Sequence, residues 1–181
     1  MSRYTGPRQK LARRLGLLPG LTSKESKKKN PPGQHGAAAV KKSEFRLALE
    51  EKQKIRFNYG LNERQLRRYI GIAQTSKGLT GDTLLNLCEM RLDNIVFRLG
   101  FAPSIPAARQ MVSHGHILVD GKRVNIPSFN CKVGHKLSPL NKAGSVDLVK
   151  KTLQGRESLV LPQHLSLDHA SATGTVVASC L

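Results

Sequence analysis

The residues of this chain most able to do chemistry are its histidines, its three cysteines and one aspartate in an Arg-Leu-Asp-Asn run. His114 and His116 flank Gly115 at the end of a helical pattern, and His35 lies in a Pro-Gly loop. A rigid metal site needs thiols, imidazoles or carboxylates converging on one point, and none of these histidines has such a set beside it in sequence. A neutral imidazole offers one donor and one acceptor, and protonation adds a second donor. Hydrogen bonding to a phosphate or a 2′-hydroxyl is therefore the better reading of all three. Cys88, Cys131 and Cys180 are too scattered for a disulfide framework or a Cys-x-x-Cys zinc site. Cys88 falls in an apolar helical pattern and reads as a small core residue in a reducing compartment. Asp93 reads as an internal anchor for a nearby arginine or backbone N–H. There is no Gly-rich phosphate loop ending in Lys-Ser/Thr and no defensible Ser/His/Asp constellation. The expectation is a protein that is not an enzyme and carries no metal and no cofactor.

What the chain does carry is charge. Thirty Lys and Arg against twelve Asp and Glu leave a formal net charge of +18 on 181 residues. Like charges repel and destabilise a compact state, so the surplus implies a polyanionic partner. A membrane is the weaker candidate, since no stretch approaches the ~20 apolar residues that span a bilayer. The first sixteen residues are Arg-rich and acid-poor, but they lack a long apolar face and contain the Gly6-Pro7 break, so they do not read as a transit peptide. Residues 1–60 hold 15 Lys and Arg against 4 acids, and the remainder 15 against 8.

The elements that must position these groups divide as follows. Residues 1–42 read as a basic arm: Lys27-Lys28-Lys29 and NPPGQHG at 30–36 forbid a regular helix, and an extended chain can follow a phosphate backbone. Residues 43–90 read as a small helical domain, expected to be joined by the C-terminal residues 155–181. A first helix starts near Ser43 and stops at Asn58 and Gly60. Asn62 caps a second, with Gln65 in capping-box spacing, and a third carries Leu84, Leu85, Leu87 and Cys88. Residues 91–154 read as a complete module of two helices packed on a small antiparallel β-sheet. Leu92, Ile95, Val96 and Leu99 form one helical stripe that Gly100 stops. Ser104 caps the next helix, with Pro106 in its first turn. Asp120-Gly121 is a type I′ pair that makes a hairpin of 116–124 and sets Ile117 opposite Val124. A strand is expected within 132–140 and a short helix over 145–153. The fold class is α+β.

Spacing then nominates contact residues. Arg3, Arg8, Arg13 and Arg14 sit in a short, poorly helical segment able to thread between RNA helices, and Lys41 and Lys42 close the arm. With Ala108, Met111 and Val112 turned inward, Arg109, Gln110, Ser113 and His114 are the outward set, and the turn presents Lys122 and Arg123. Arginine's planar fork meets two phosphate oxygens at once. RNA duplexes are read through shape, phosphates and 2′-hydroxyls, which suits a donor-rich chain with three Tyr, five Phe and no Trp. A stacking platform for single strands does not fit so few aromatics.

RLDN at 91–94, IPAARQMVSHGHI at 105–117, VDG at 119–121 and the following IPSF closely resemble the RNA-binding module named after protein four of the small ribosomal subunit. That module also occurs in some tRNA synthetases, pseudouridine synthases and heat-shock RNA binders. SRYTGPR at 2–8, RRLG at 13–16, LPGLTSK at 18–24, PPGQHG at 31–36, EEKQKIRFNYGLNERQLRRY at 50–69 and PQHLSLD at 162–168 extend the resemblance, in order, along nearly the whole chain. The family is that of ribosomal protein four, in its cyanobacterial and plastid form. The resemblance implies a structural constituent of the small subunit that binds its rRNA early, nucleates assembly of the body, contacts ribosomal protein five and other small-subunit proteins, affects translational accuracy and lies near the channel through which mRNA enters. It implies that Arg91, Ser104, Arg109, Gln110, His114, His116 and Lys122 match RNA-surface positions. LPGLTSK points to a plastid (chloroplast) ribosome, with a cyanobacterial cytoplasm as the alternative. Some bacterial members hold zinc through cysteines where Gln9 and Ala12 stand here, so no metal is expected there. Family members usually continue past Leu181 to a Glu-Tyr-Tyr-Ser motif. The competing reading is an appendage or fragment of an RNA-modifying enzyme of the pseudouridine synthase type, in which an RLD tripeptide supplies the catalytic aspartate. There the tripeptide follows Gly within a large catalytic domain; here Met90 precedes it.

Overall fold

The computed structural model describes residues 4–28, 30–38, 41–155 and 160–180. Arg3 lies outside the described residues. The chain forms two compact units, one reaching to Arg68 and the other beginning at Tyr69.

In the first unit, α1 (Arg8–Leu15) follows Pro7, whose extended backbone starts the helix, and ends at Gly16 with φ 95°. The expected poorly helical segment is thus a helix, and the reason is apolar. Leu15, Leu18 and Leu21 are buried together, with Leu11 and Phe57 packed against them. Four leucines surrounded by arginines gain more by covering Phe57 than by staying extended in water. Tyr4 meets the Phe57 ring edge-on at 5.3 Å. Asn58 Oδ1 accepts from the Gly20 N–H at 2.9 Å, tying the chain after α1 to the end of α2 (Glu44–Asn58). Beyond Gly20 the described arm contains turns and bends but no helix, as its prolines and glycines require. Ser43 caps α2 by accepting from the Arg46 N–H. Asn62 and Gln65 form the reciprocal capping box at the start of α3 (Glu63–Thr75), with side-chain to backbone distances of 2.7 and 3.1 Å.

The second unit contains the end of α3, then α4 (Thr80–Glu89), α5 (Leu92–Arg98), α6 (Ile105–Ser113), β1 (Ile117–Val119), β2 (Lys122–Arg123), β3 (Lys136–Pro139), α7 (Ala143–Gln154), β4 (Leu165–Asp168) and β5 (Thr173–Val176). The strands make one antiparallel sheet in the order β2-β1-β3-β5-β4. Val119 pairs with Lys122 and Leu118 with Arg123, and the Val124 N–H donates to the Ile117 carbonyl, which is the expected hairpin register. Leu92, Ile95, Val96, Leu99, Ile105, Val112, Ile117, Leu137 and Val149 are fully buried and join helices to sheet. Gly174 marks how close that approach is: a Cβ there would lie 2.3 Å from Leu99 Cδ1. The expected grouping of the C-terminal residues needs correction. Residues of β4 and β5 extend the sheet beyond β3 rather than completing a helical domain, because the free edge of β3 needs backbone partners. The helical segment is divided too, with α4 falling in the second unit.

Candidate nucleic-acid interface

The second unit's donor-rich surface is built on α6 and the hairpin after it. Ser104 Oγ accepts from the Ala107 N–H at 3.4 Å, and Ser104 is buried. Its role is to start α6, which fixes the direction in which every later side chain points. Ala108, Met111 and Val112 are buried while Gln110, Ser113 and His114 are exposed, as the helical spacing requires. Gly115, with φ 73°, ends the helix. Arg123 folds back over it and donates through Nη2 to the His114 carbonyl at 2.9 Å, so a cation sits at the helix C-terminus where the macrodipole favours it. A Cβ at Gly115 would stand 1.9 Å from Arg123 Nε, so only glycine allows this contact. His116 Nδ1 pairs with Ser145 Oγ at 2.9 Å, and the His114 and His116 ring centroids are 6.1 Å apart.

The hairpin turn uses left-handed backbone at Asp120 (φ 50°) and Gly121 (φ 78°) and leaves Lys122 exposed. Asp120 Oδ1 accepts from the Lys136 N–H at 2.8 Å, which pins the turn to β3. That pairing brings the exposed Lys136 to the turn end of the hairpin, beside the loop that leads into Lys122. Lys136 does not stand out in the sequence, because only the β1–β3 pairing, a long-range fact, places it there.

Two expected contact residues serve another purpose. Arg91 is 2% exposed. It grips Asp93 with two parallel bonds, Nε to Oδ1 at 2.9 Å and Nη2 to Oδ2 at 2.6 Å, and donates from Nη1 to the Tyr69 hydroxyl at 2.7 Å. Burial alone would lower the guanidinium's pKa, but the Asp93 carboxylate outweighs it and holds Arg91 charged. Arg91 is therefore an interior anchor and cannot present itself to RNA. Arg109 is half-buried and donates from Nε to Asp93 Oδ2 at 2.9 Å. One buried carboxylate thus organises the residue before α5 and the outer rim of α6. Asp93 is the internal anchor that its RLDN context indicates.

In the first unit, Arg8, Arg14 and Lys41 are exposed. Arg13 is half-buried and donates to the carbonyls of Asn30 (2.8 Å) and Pro31 (3.3 Å), so it fastens the Pro-Gly loop to α1. Lys42 is exposed but ion-paired to Glu50 at 2.6 Å, where Arg46 also reaches in at 3.2 Å. Hydrogen bonds from Lys42 and then Arg46 hold the Glu50 carboxyl below its usual range. An open cleft beside this loop is lined by Arg13, Lys28, Asn30, Pro31 and Gln34. His35 is exposed in the loop. Chemically, both surfaces offer many fixed cations, amides and imidazoles, suited to phosphate and 2′-hydroxyl recognition.

The comparisons with known proteins divide the chain between residues 89 and 90, inside the second unit. Residues 3–89 match the ribosomal protein S4/S9 N-terminal domain, and residues 90–137 match the S4 domain. The chain is 56% identical over 176 residues to the small ribosomal subunit protein uS4 of Thermosynechococcus vestitus, covering 97% of this chain and 87% of that one. It is 57% identical over 178 residues to uS4 of a Synechococcus strain, with the same coverage. Against uS4c of Nephroselmis olivacea it is 52% identical over 176 residues, again covering 97% and 87%. With both domains matched in order and half or more of the residues shared along nearly its full length, the chain belongs to the uS4 family of small ribosomal subunit proteins.

Proposed function

We propose that this protein is a structural constituent of the small ribosomal subunit, which it serves by binding rRNA and not by catalysis. The observation that carries this reading is the frame of α6 and the β1–β2 hairpin, where Asp93 and Asp120 fix the backbone and side chains while Gln110, His114, Lys122, Arg123 and Lys136 face solvent. Each phosphate neutralised by such a cation releases condensed counterions, so the net charge of +18 becomes binding free energy at low salt. Asp93 has no role in an RNA-modifying reaction here, since its two oxygens are committed to Arg91 and Arg109 and its side chain is wholly buried. The test is sucrose-gradient sedimentation: stoichiometric cofractionation with small subunits, lost at high salt, is expected, and persistent absence from them removes the reading.

The finer reading rests on the family resemblance. The exposed residues of α1 and the arm reach rRNA early and help nucleate the subunit body. Contact with ribosomal protein five links the protein to decoding accuracy, beside the channel by which mRNA enters. The LPGLTSK run favours a plastid ribosome over a cyanobacterial one. Cross-linking within the small subunit tests the contact with protein five. A cross-link from this chain to protein five is expected; its absence from assembled subunits would remove the accuracy role.

A further inference from the structure

A second polar cluster lies in the same unit and takes no part in the RNA surface. It is built by long-range pairing. The Val177 N–H donates to the His164 carbonyl at 2.9 Å, and Ser179 Oγ donates to Asn86 Oδ1 of α4 at 3.1 Å. These two ties lay the chain after β5 across the end of α4 and bring Cys180 beside Glu89 and His164. One ligand atom from each of these three residues lies within 4.8 Å of the other two. Glu89 and His164 are 7% and 5% exposed. His164 Nε2 is buried with no hydrogen-bond partner among the described residues, an arrangement that costs free energy unless something occupies it.

We propose that Glu89, His164 and Cys180 bind a single thiophilic divalent cation of the zinc type. Carboxylate, imidazole and thiolate are the three side-chain ligands that zinc takes, at about 2.0 to 2.3 Å each. Ligand atoms around a tetrahedral ion of that size stand roughly 3.5 Å apart. Closing from 4.8 Å to that spacing is a movement of about one ångström for these side chains. Binding forms a sulfur–metal bond and sends the Cys180 thiol proton to solvent, with no change of oxidation state. A solvent oxygen completes the fourth position.

Arg98 is the opposing term. It donates to Glu89 Oε1 at 2.6 Å and to Oε2 at 3.2 Å, and the Asn94 amide donates to Oε2 at 2.6 Å. Oε2 already accepts two of these bonds and Oε1 one, so a metal would compete with Arg98 for Oε1, and the guanidinium has to yield there for Glu89 to bind it. The guanidinium repels a cation, and the thiolate and carboxylate together offset that repulsion. The ligands stand at 89, 164 and 180, so no short spacing motif announces them.

Cobalt(II) titration of the full chain is the test, because a cobalt–thiolate bond gives a near-ultraviolet charge-transfer band. The expected result is one cobalt per chain with that band, displaced by zinc. Cys180→Ser should abolish the band, and His164→Gln should weaken cobalt binding by about tenfold or more. Both variants should bind rRNA as the parent does, which keeps this site separate from the RNA surface. Absence of a thiolate band at excess cobalt overturns the proposal. So does an equal band in Cys180→Ser, which would assign the thiol to Cys88 or Cys131.

Discussion

The two units use ion pairs in opposite ways. In the first, Glu50 holds Lys42 and Arg46 at the surface, and both cations keep nearly half of their side chains in water. In the second, Asp93 is completely buried and holds Arg91 at 2% and Arg109 at 16% side-chain exposure. A surface pair contributes little to stability, whereas breaking a buried one strands an uncompensated charge. Arginine in this family's motifs thus has two meanings. Some arginines face solvent, where the proposed RNA contact would be made, and some hold the scaffold beneath them, and burial tells the two apart.

The strongest way to sharpen that contrast is to remove the buried carboxylate. Asp93→Ala should destabilise the second unit by about 3 to 5 kcal/mol, read as a lower urea midpoint, because two cations lose their partner together. A change below 1 kcal/mol would mean that solvent already reaches the site. Gly115→Ala comes next. Its φ of 73° and the Arg123 guanidinium against it should cost about 1 to 2 kcal/mol, with rRNA binding weakened through the displaced Arg123. Thermal unfolding and filter binding on one preparation measure both, and intact stability would show that the helix end adapts.

The smallest effect belongs to Glu50. Its folded pKa lies below the unfolded value near 4.5, so its contribution is present above that pH and lost as the pH falls through the lowered folded value. Glu50→Gln should therefore flatten the decline of Tm on acidification below pH 4.5 while leaving Tm at neutral pH almost unchanged. A parallel decline in both proteins would assign the acid sensitivity elsewhere.

Local signals in the sequence were reliable where the physics is local. The Asn62–Gln65 box, the Ser104 cap and the Asp120-Gly121 turn each involve neighbours within four residues, and each forms as read. The α1 helix escaped because its leucines are interrupted by arginines and find their partner, Phe57, more than thirty residues on. The five-stranded sheet escaped for a similar reason: β5 pairs with β3 across the whole of α7, and nothing in residues 165–176 names that partner. Of the contact residues, Lys122, His114 and Gln110 are exposed as expected. Arg91 is not, since a motif match records a residue's identity and leaves its direction open.

Exposed cations, and not the buried arginines, are expected to carry the salt-sensitive part of RNA binding. Measuring rRNA affinity against salt for the parent and for a Lys122→Ala, Arg14→Ala double variant tests it most directly. Both side chains are exposed, one on the hairpin and one on α1. The log–log slope should flatten by roughly 0.7 to 0.9 for each cation removed, with the folded stability unchanged. An identical slope in the two proteins would contradict the account, because the RNA would then be held by groups other than those the fold leaves facing water.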